Sequence, residues 1–308
     1  MKMQIVVTSP SFSKNKILRN EILRYFSEVK LNDSGERLSG EKLLNFIQNA
    51  EGIIIGLEKF DKEIINRLPG LQIISKYGVG LDNIDIEYCK QKNIHIGWTP
   101  GVNKASVAEM TLAFMIALSR NIFLTSNQLK KNVWNKDGGF DLSRKTVGII
   151  GVGNVGKEVI RFLKPFNCKI LANDIIDKTG YYKENNLIKA TKEGIYRQSD
   201  IVTLHVPLTV DTEGLINSNV LRMMKKSSYL INTSRGRVVK QDNLKWALKN
   251  GIIAGAAIDV YNEEPPEDAD FLDLPNLICT PHIGGNSQEA VLSMGRSAIQ
   301  HLRDYFNK

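Results

Sequence analysis

Disulfide chemistry has little to work with in this sequence. Its three cysteines, Cys89, Cys168 and Cys279, lie far apart and form no CxxC pair. That argues against a disulfide framework and against a zinc site, and predicts reduced thiols. Long apolar runs are also scarce. The longest, Val107 to Leu118, is interrupted by Glu109 and Thr111. It stays below the ~18 residues of a membrane span and predicts a buried helix. Met1 to Pro10 hold one lysine and a brief apolar run, so no secretory leader and a cytoplasmic location are expected. Nor is basic charge concentrated. The net charge is +8 at pH 7, yet the lysines are scattered, with only doublets such as Lys130-Lys131 and Lys225-Lys226. This argues for a solvated basic surface and against nucleic-acid binding. A basic field would favour an anionic cofactor and an anionic substrate.

What the chain does have is length and alternation. Its 308 residues suggest two domains. Apolar strand patterns at Gln4–Val7, Gly52–Ile55, Leu71–Ser75 and Ile94–Ile96 alternate with helical patterns at Lys14–Phe26, Leu43–Ile47, Asp61–Leu68 and Ile84–Lys90. Such alternation predicts a parallel sheet covered on both faces, here a small flavodoxin-like α/β domain. Thr99-Pro100-Gly101 breaks the pattern and predicts a hinge. A long apolar helix over Asn103–Arg120 follows, expected to lie buried between domains or subunits and to favour a homodimer.

Six further strands are expected at Lys145–Ile150, Lys169–Asn173, Asp200–His205, Ser228–Asn232, Ala254–Asp259 and Leu277–Thr280. They predict a Rossmann-type, doubly wound parallel sheet. A last helix, Ser287–Phe306, is expected to return to the first domain. The predicted division is residues 1–98 with 282–308 as the substrate domain, and 99–281 as the nucleotide domain.

The first of these strands runs into Gly151-Val152-Gly153-Asn154-Val155-Gly156 and then a helix. Gly-x-Gly-x-x-Gly between a strand and a helix is what a dinucleotide pyrophosphate needs. The first glycine makes the turn, the second admits the phosphates, and the third lets helix and strand pack closely. Asp174 ends the second strand eighteen residues beyond Gly156, a fitting place to hydrogen-bond a ribose 2′-OH. No arginine follows it closely, and Asp174 and Asp177 would repel a 2′-phosphate, so NAD is expected over NADP.

Ligands of open parallel sheets bind beyond the carboxyl ends of the strands. Those ends carry Arg235, Glu263, Glu264 and His282. Reducing a carbonyl beside a carboxylate needs a proton donor, and histidine titrates near working pH. A neighbouring carboxylate would orient the ring and favour imidazolium. An arginine can grip the substrate carboxylate with a forked pair. Arg235, Glu264 and His282 fill these roles; Arg237, Glu263 and His205 are the neighbours they must be chosen over.

Several segments together resemble the D-isomer-specific 2-hydroxyacid dehydrogenases, most of all the phosphoglycerate dehydrogenase branch. They are Lys76-Tyr77-Gly78-Val79-Gly80-Leu81-Asp82-Asn83-Ile84-Asp85, Thr99-Pro100-Gly101-Val102-Asn103, the glycine loop, His205-Val206-Pro207-Leu208-Thr209, Asn232-Thr233-Ser234-Arg235-Gly236, Asp259-Val260-Tyr261-x-x-Glu264-Pro265 and Pro281-His282-Ile283-Gly284-Gly285. The resemblance implies Arg235, Glu264 and His282 as the catalytic three. It implies NAD on Gly151, Gly153, Asn154, Val155, Gly156 and Asp174. The same cofactor would be backed by His205, Val206, Pro207 and Thr212 and met by Thr233, Ser234, Asp259 and Gly284. The substrate carboxylate would sit on the Val79 and Gly80 N–H groups, with Asn103 near the cleft.

The resemblance makes 3-phosphoglycerate the first substrate reading and glyoxylate or hydroxypyruvate reduction the second. A non-catalytic NAD(H)-sensing protein of the same fold is the alternative of another class. Gly56-Leu57-Glu58-Lys59 replaces a more basic turn of phosphoglycerate enzymes, and Lys76 stands where many relatives have arginine. Lys59 and Lys76 are therefore the candidates for a phosphate. The sequence ends at Lys308, so the C-terminal regulatory domain of some phosphoglycerate dehydrogenases, and serine feedback through it, are not expected.

Overall fold

A computed structural model describes residues 4–307. The chain divides into two compact units, Met1–Asn103 with Asn286–Lys308, and Lys104–Gly285. The two crossings fall a few residues beyond those expected from sequence, which puts His282 in the second unit rather than the first.

The first unit runs β1 (Ile5–Val7), α1 (Pro10–Lys14), α2 (Lys16–Tyr25), β2 (Val29–Leu31), α3 (Gly40–Ile47), β3 (Gly52–Ile55), α4 (Lys62–Asn66), β4 (Ile73–Lys76), α5 (Ile86–Gln91) and β5 (His95–Gly97). All strands are parallel, in the order β2-β1-β3-β4-β5, the flavodoxin-like arrangement. The single helix expected over Lys14–Phe26 is broken. Asn15 adopts an extended backbone, and its side chain accepts from the N–H groups of Ile17 and Leu18, capping α2.

The second unit opens with α6 (Lys104–Ser119) and α7 (Ile122–Lys130), followed by β6 (Thr146–Ile150), α8 (Asn154–Leu163), β7 (Lys169–Asn173), α9 (Thr179–Glu184), β8 (Ile188–Lys189), α10 (Lys192–Gln198), β9 (Ile201–Leu204), α11 (Ser218–Met223), β10 (Tyr229–Asn232), α12 (Gln241–Lys249), β11 (Gly255–Ile258), α13 (Ala269–Leu272) and β12 (Leu277–Cys279). Its seven strands are parallel in the order β12-β11-β10-β9-β6-β7-β8. The order reverses at β6, so the crevice for a dinucleotide opens beside the turn after that strand.

The apolar α6 is accounted for within its own unit. Val107, Ala108, Phe114, Met115 and Leu118 are buried, and the helix packs on α8, β10 and β11. Asn121, with φ of 49°, turns the chain from α6 into α7. Among the described residues no single helix is long and apolar enough to cross a membrane.

The chain returns to the first unit as α14 (Gln288–Phe306). Met294, Ala298, Ile299 and Leu302 form its buried stripe, spaced as a helix face requires. The helix lies on β3, β4 and β5, where the Ser75 hydroxyl donates to the Ala298 carbonyl at 2.8 Å.

Candidate active site

The turn after β6 is shaped by contacts that a side chain would destroy. Gly151 has a φ of +93°, and a Cβ there would lie 2.4 Å from the His205 carbonyl oxygen. A Cβ on Gly156 would lie 2.1 Å from the Gly151 oxygen, so α8 can approach the turn only with glycine at this position. Above Gly153 there is open space. No side chain caps α8, unlike α2, α4, α10 and α11, so its first N–H groups remain for an anion. Asn154 and Val155 lie in its first turn.

Asp174 leaves the end of β7 and folds back on this turn. Its Oδ2 accepts from the Val152 N–H at 2.8 Å and its Oδ1 from the Ile176 N–H at 2.9 Å. His205, at the end of β9, is held by Thr203 Oγ1 at 3.0 Å, and burial pulls its pKa down to about 3. It stays neutral at physiological pH and cannot serve as a proton donor there. Val206 packs against the neighbouring core, and the Thr212 hydroxyl donates to the Pro207 carbonyl at 2.6 Å, closing that loop.

On the other side of β6, Thr233 is buried, with its hydroxyl 3.0 Å from that of Thr111 on α6. The Ser234 hydroxyl donates to Asn232 Oδ1 at 2.8 Å. The Asn232 side chain in turn donates to the Arg235 carbonyl, fixing the backbone that presents the guanidinium. Arg237 is spent on an ion pair with Glu213 at 2.5 Å.

His282 Nδ1 lies 2.7 Å from Glu264 Oε2, while Glu264 Oε1 accepts from the Tyr261 N–H at 3.2 Å. The hydrogen bond to the Glu264 carboxylate raises the His282 pKa above its ordinary 6.5, against the opposing effect of burial and of the nearby Arg235 charge. Burial pushes the Glu264 carboxyl upward, but the His282 hydrogen bond and charge, with a smaller effect of Arg235, bring it below its usual value. Arg235, Glu264 and His282 are thus close enough to act on one another.

Asp259 is almost wholly buried at the end of β11, and its two oxygens hold the histidine turn. Oδ1 accepts from the Thr280 hydroxyl at 2.6 Å and the Ile283 N–H at 2.8 Å, and Oδ2 from the Gly284 N–H at 2.7 Å. A Cβ on Gly284 would lie 2.9 Å from that oxygen. Ser106 on α6 also donates to the Gly284 carbonyl at 2.8 Å. His282 itself has a φ of 53°, a conformation rare for a side-chain-bearing residue. Thr280, Tyr261 and Ser106 therefore shape the site without having been singled out from sequence. The signal for Thr280 and Tyr261 was their position at strand ends; Ser106, with Glu109, carried only the pattern of a helix-capping box.

In the first unit, the Val79 and Gly80 N–H groups meet no acceptor among the described residues, while the Val79 carbonyl accepts from the Trp98 indole at 2.8 Å. Lys76 is buried; its ammonium donates to the Gly56 carbonyl and to Asn83 Oδ1, the latter at 2.7 Å. Lys59 pairs with Asp61 at 2.8 Å. Asn103 closes this part of the unit and is half-buried.

The sequence profile of the NAD-binding domain of D-isomer specific 2-hydroxyacid dehydrogenases matches residues 112–284. The chain belongs to this family. Glyoxylate reductase of Pyrococcus horikoshii is 35% identical over 89% of this chain and 85% of its own. D-3-phosphoglycerate dehydrogenase of Methanocaldococcus jannaschii is 33% identical over 97% of this chain, which spans 57% of that protein. Among solved structures, a D-lactate dehydrogenase from Aquifex aeolicus in complex with NAD and lactic acid superposes with a TM-score of 0.87 at 26% identity. That match covers 98% of this chain and 95% of the other.

As a member of the D-isomer specific 2-hydroxyacid dehydrogenases, the protein is an NAD-dependent oxidoreductase acting on the CH–OH group of a 2-hydroxy acid. The open space above Gly153 and the uncapped start of α8 fit the pyrophosphate of NAD, and Asp174 fits its adenosine ribose.

Proposed function

We propose that the protein reduces a short, unphosphorylated 2-oxo acid such as glyoxylate or hydroxypyruvate to the 2-hydroxy acid, glycolate or D-glycerate, and that Arg235, Glu264 and His282 carry the chemistry. The observation behind the residue assignment is the 2.7 Å contact between His282 Nδ1 and Glu264 Oε2, with Arg235 close enough to influence both. NADH supplies a hydride to the 2-oxo carbon when bound. His282, kept protonated by Glu264, donates from Nε2 to the oxygen that becomes the hydroxyl. In the reverse direction neutral His282 accepts that proton. Arg235 grips the substrate carboxylate and polarises the adjacent carbonyl.

Sequence resemblance put 3-phosphoglycerate first. The engagement of two side chains supports the second reading instead. Lys76 is committed to the Gly56 carbonyl and Asn83, and Lys59 to Asp61, so neither phosphate candidate offers an unengaged ammonium. The phosphoglycerate reading keeps the support of relatives of that name, among them the Methanocaldococcus enzyme, 33% identical over nearly the whole of this chain.

The proposal extends to a cytoplasmic homodimer. Ile122, Phe123 and Leu129 of α7, with Val133 and Trp134 beyond it, are exposed apolar side chains that a second copy could cover.

Steady-state NADH oxidation tests the substrate. Glyoxylate, hydroxypyruvate, phosphohydroxypyruvate, pyruvate and 2-oxoglutarate should be compared at equal concentration. Turnover of hydroxypyruvate or glyoxylate above that of phosphohydroxypyruvate supports the reading. Preference for phosphohydroxypyruvate restores the phosphoglycerate reading. No turnover with any 2-oxo acid removes both in favour of a cofactor-sensing role.

A further inference from the structure

The strand order of the first unit reverses between β1 and β3, so its own ligand crevice opens beyond the ends of those two strands. Thr8 and Ser9 follow β1, and Gly56, Leu57 and Glu58 follow β3. None of these residues takes part in the chemistry assigned to Arg235, Glu264 and His282.

Glu58 is unusual among them, an acid only 2% exposed. Its Oε2 accepts from the Gly56 N–H at 2.7 Å. Its Oε1 accepts from no described residue, yet this oxygen is not sealed from solvent. Such an acceptor in so buried a side chain is costly until a donor meets it.

The surroundings hold this oxygen in place without satisfying it. Asn83 Nδ2 donates to the Glu58 carbonyl at 2.5 Å, and the Lys76 ammonium donates to the Gly56 carbonyl. The other cations of the turn are engaged elsewhere, Lys59 with Asp61 and Arg37 with the Leu57 carbonyl. A Cβ on Gly56 would stand 3.3 Å from Ser9 Oγ and 3.6 Å from Glu58 Oε2, so the ends of β1 and β3 face each other here. Ser9 Oγ in turn lies 3.1 Å from Ser11 Oγ.

A carboxylate in this place sorts ligands by what they can donate. A hydroxyl supplies the missing hydrogen bond. A methyl group leaves the oxygen unpaired, and a phosphate adds like charge and more acceptors.

We propose that Glu58 is a specificity-determining residue: its Oε1 accepts from a hydroxyl on C3 of the 2-oxo acid, which selects hydroxypyruvate over pyruvate and over phosphohydroxypyruvate. The inference rests on the proposed reduction of an unphosphorylated 2-oxo acid and narrows it to substrates with a donor at C3. A site built to hydrogen-bond a substrate hydroxyl discriminates far more strongly than an apolar one against the analogue lacking it.

Steady-state NADH oxidation with the three 2-oxo acids tests this. The readout is the ratio of kcat/KM values, in which a general loss of activity cancels. Native protein should favour hydroxypyruvate over each of the other two by about fivefold or more. Glu58→Gln keeps the size and an acceptor for the Gly56 N–H, and gives the open position an N–H donor. It should lower the ratio of hydroxypyruvate to phosphohydroxypyruvate by at least about tenfold. Glu58→Asp keeps the charge and withdraws the oxygen. It should lower the ratio of hydroxypyruvate to pyruvate by at least about fivefold, with phosphohydroxypyruvate still disfavoured.

Ratios within about threefold of native in both variants overturn the proposal. They would make Glu58 a support of its turn only and leave the reduction of unphosphorylated 2-oxo acids standing. A native ratio of hydroxypyruvate to pyruvate below the fivefold limit also overturns it, and needs no variant to fold. Native preference for phosphohydroxypyruvate, or no turnover of any 2-oxo acid, would instead remove the reading on which the inference stands.

Discussion

The Glu264 carboxylate holds the His282 ring by its Nδ1 at 2.7 Å, the contact on which the proposed proton transfer rests. This contact raises the His282 pKa above 6.5, while burial and Arg235 act in the opposite direction. Reduction consumes the protonated ring. Turnover of a 2-oxo acid should therefore be full at low pH and fall as pH rises through the raised pKa, and oxidation should show the inverse limb. The same sign applies to stability. The pairing stabilises the fold below the unfolded histidine value and is lost as pH rises past the folded one.

Glu264→Gln removes the charge and weakens the hydrogen bond while keeping the shape. Burial then dominates over the smaller, opposing charge effects of Asp259 and Arg235. The midpoint of the reductive limb should shift to lower pH, and turnover at pH 8 should fall by roughly tenfold or more. The pH profile of kcat between pH 5 and 9 reads this. An unmoved midpoint would show that Glu264 does not set the charge of His282.

His205 offers the contrast. Desolvation pulls its pKa to about 3, and Thr203 Oγ1 is its partner. His205→Asn should leave the midpoint of the reductive limb where it was, even where the NADH affinity changes. A displaced limb would give His205 a part in proton transfer.

The glycine turn makes two separable predictions. Gly156→Ala would ordinarily favour a helix by about 1 kcal/mol. Here its Cβ meets the Gly151 oxygen at 2.1 Å, so α8 must move off the turn, and NADH binding should weaken by roughly tenfold or more. Gly153→Ala meets nothing within 4 Å. It should leave Tm nearly unchanged while still weakening NADH, because the methyl group fills the path of the phosphates. Fluorescence titration and thermal unfolding of both variants check the pair; equal thermal loss in the two would contradict the packing account.

Leu302 is fully buried where α14 lies on the first unit. Leu302→Ala should destabilise the protein by about 2–5 kcal/mol, from lost burial plus the residual cavity. Chemical denaturation measures it. A change under about 1 kcal/mol would mean that α14 is not part of that core.

Much of this was legible because strong local signals coincide with the fold. Long apolar strands such as β6 and β7 and the glycine turn between β6 and α8 announce themselves by composition. The segments that escaped notice are those with weak local character. Strands β2 and β8 have three and two residues at sheet edges, too short for periodicity to show. Asn15 split a helix by capping, a choice invisible to a hydrophobic pattern that runs on either side of it. The partners of Asp259, and the commitments of Lys59 and Lys76, depend on tertiary contacts. Asp259 and Gly284 are 25 residues apart in sequence yet 2.7 Å apart in space. Lys76, a phosphate candidate in the sequence, is buried because Gly56 and Asn83 supply its acceptors.

The most direct test of the proposed mechanism compares native protein with His282→Ala for hydroxypyruvate reduction, with NADH affinity measured in parallel. Removal of the proton donor should lower kcat by about 10²–10⁴-fold and leave NADH binding within about threefold. Turnover within tenfold of native, or loss of NADH binding in place of turnover, would contradict the assignment of His282 as the group that protonates the substrate.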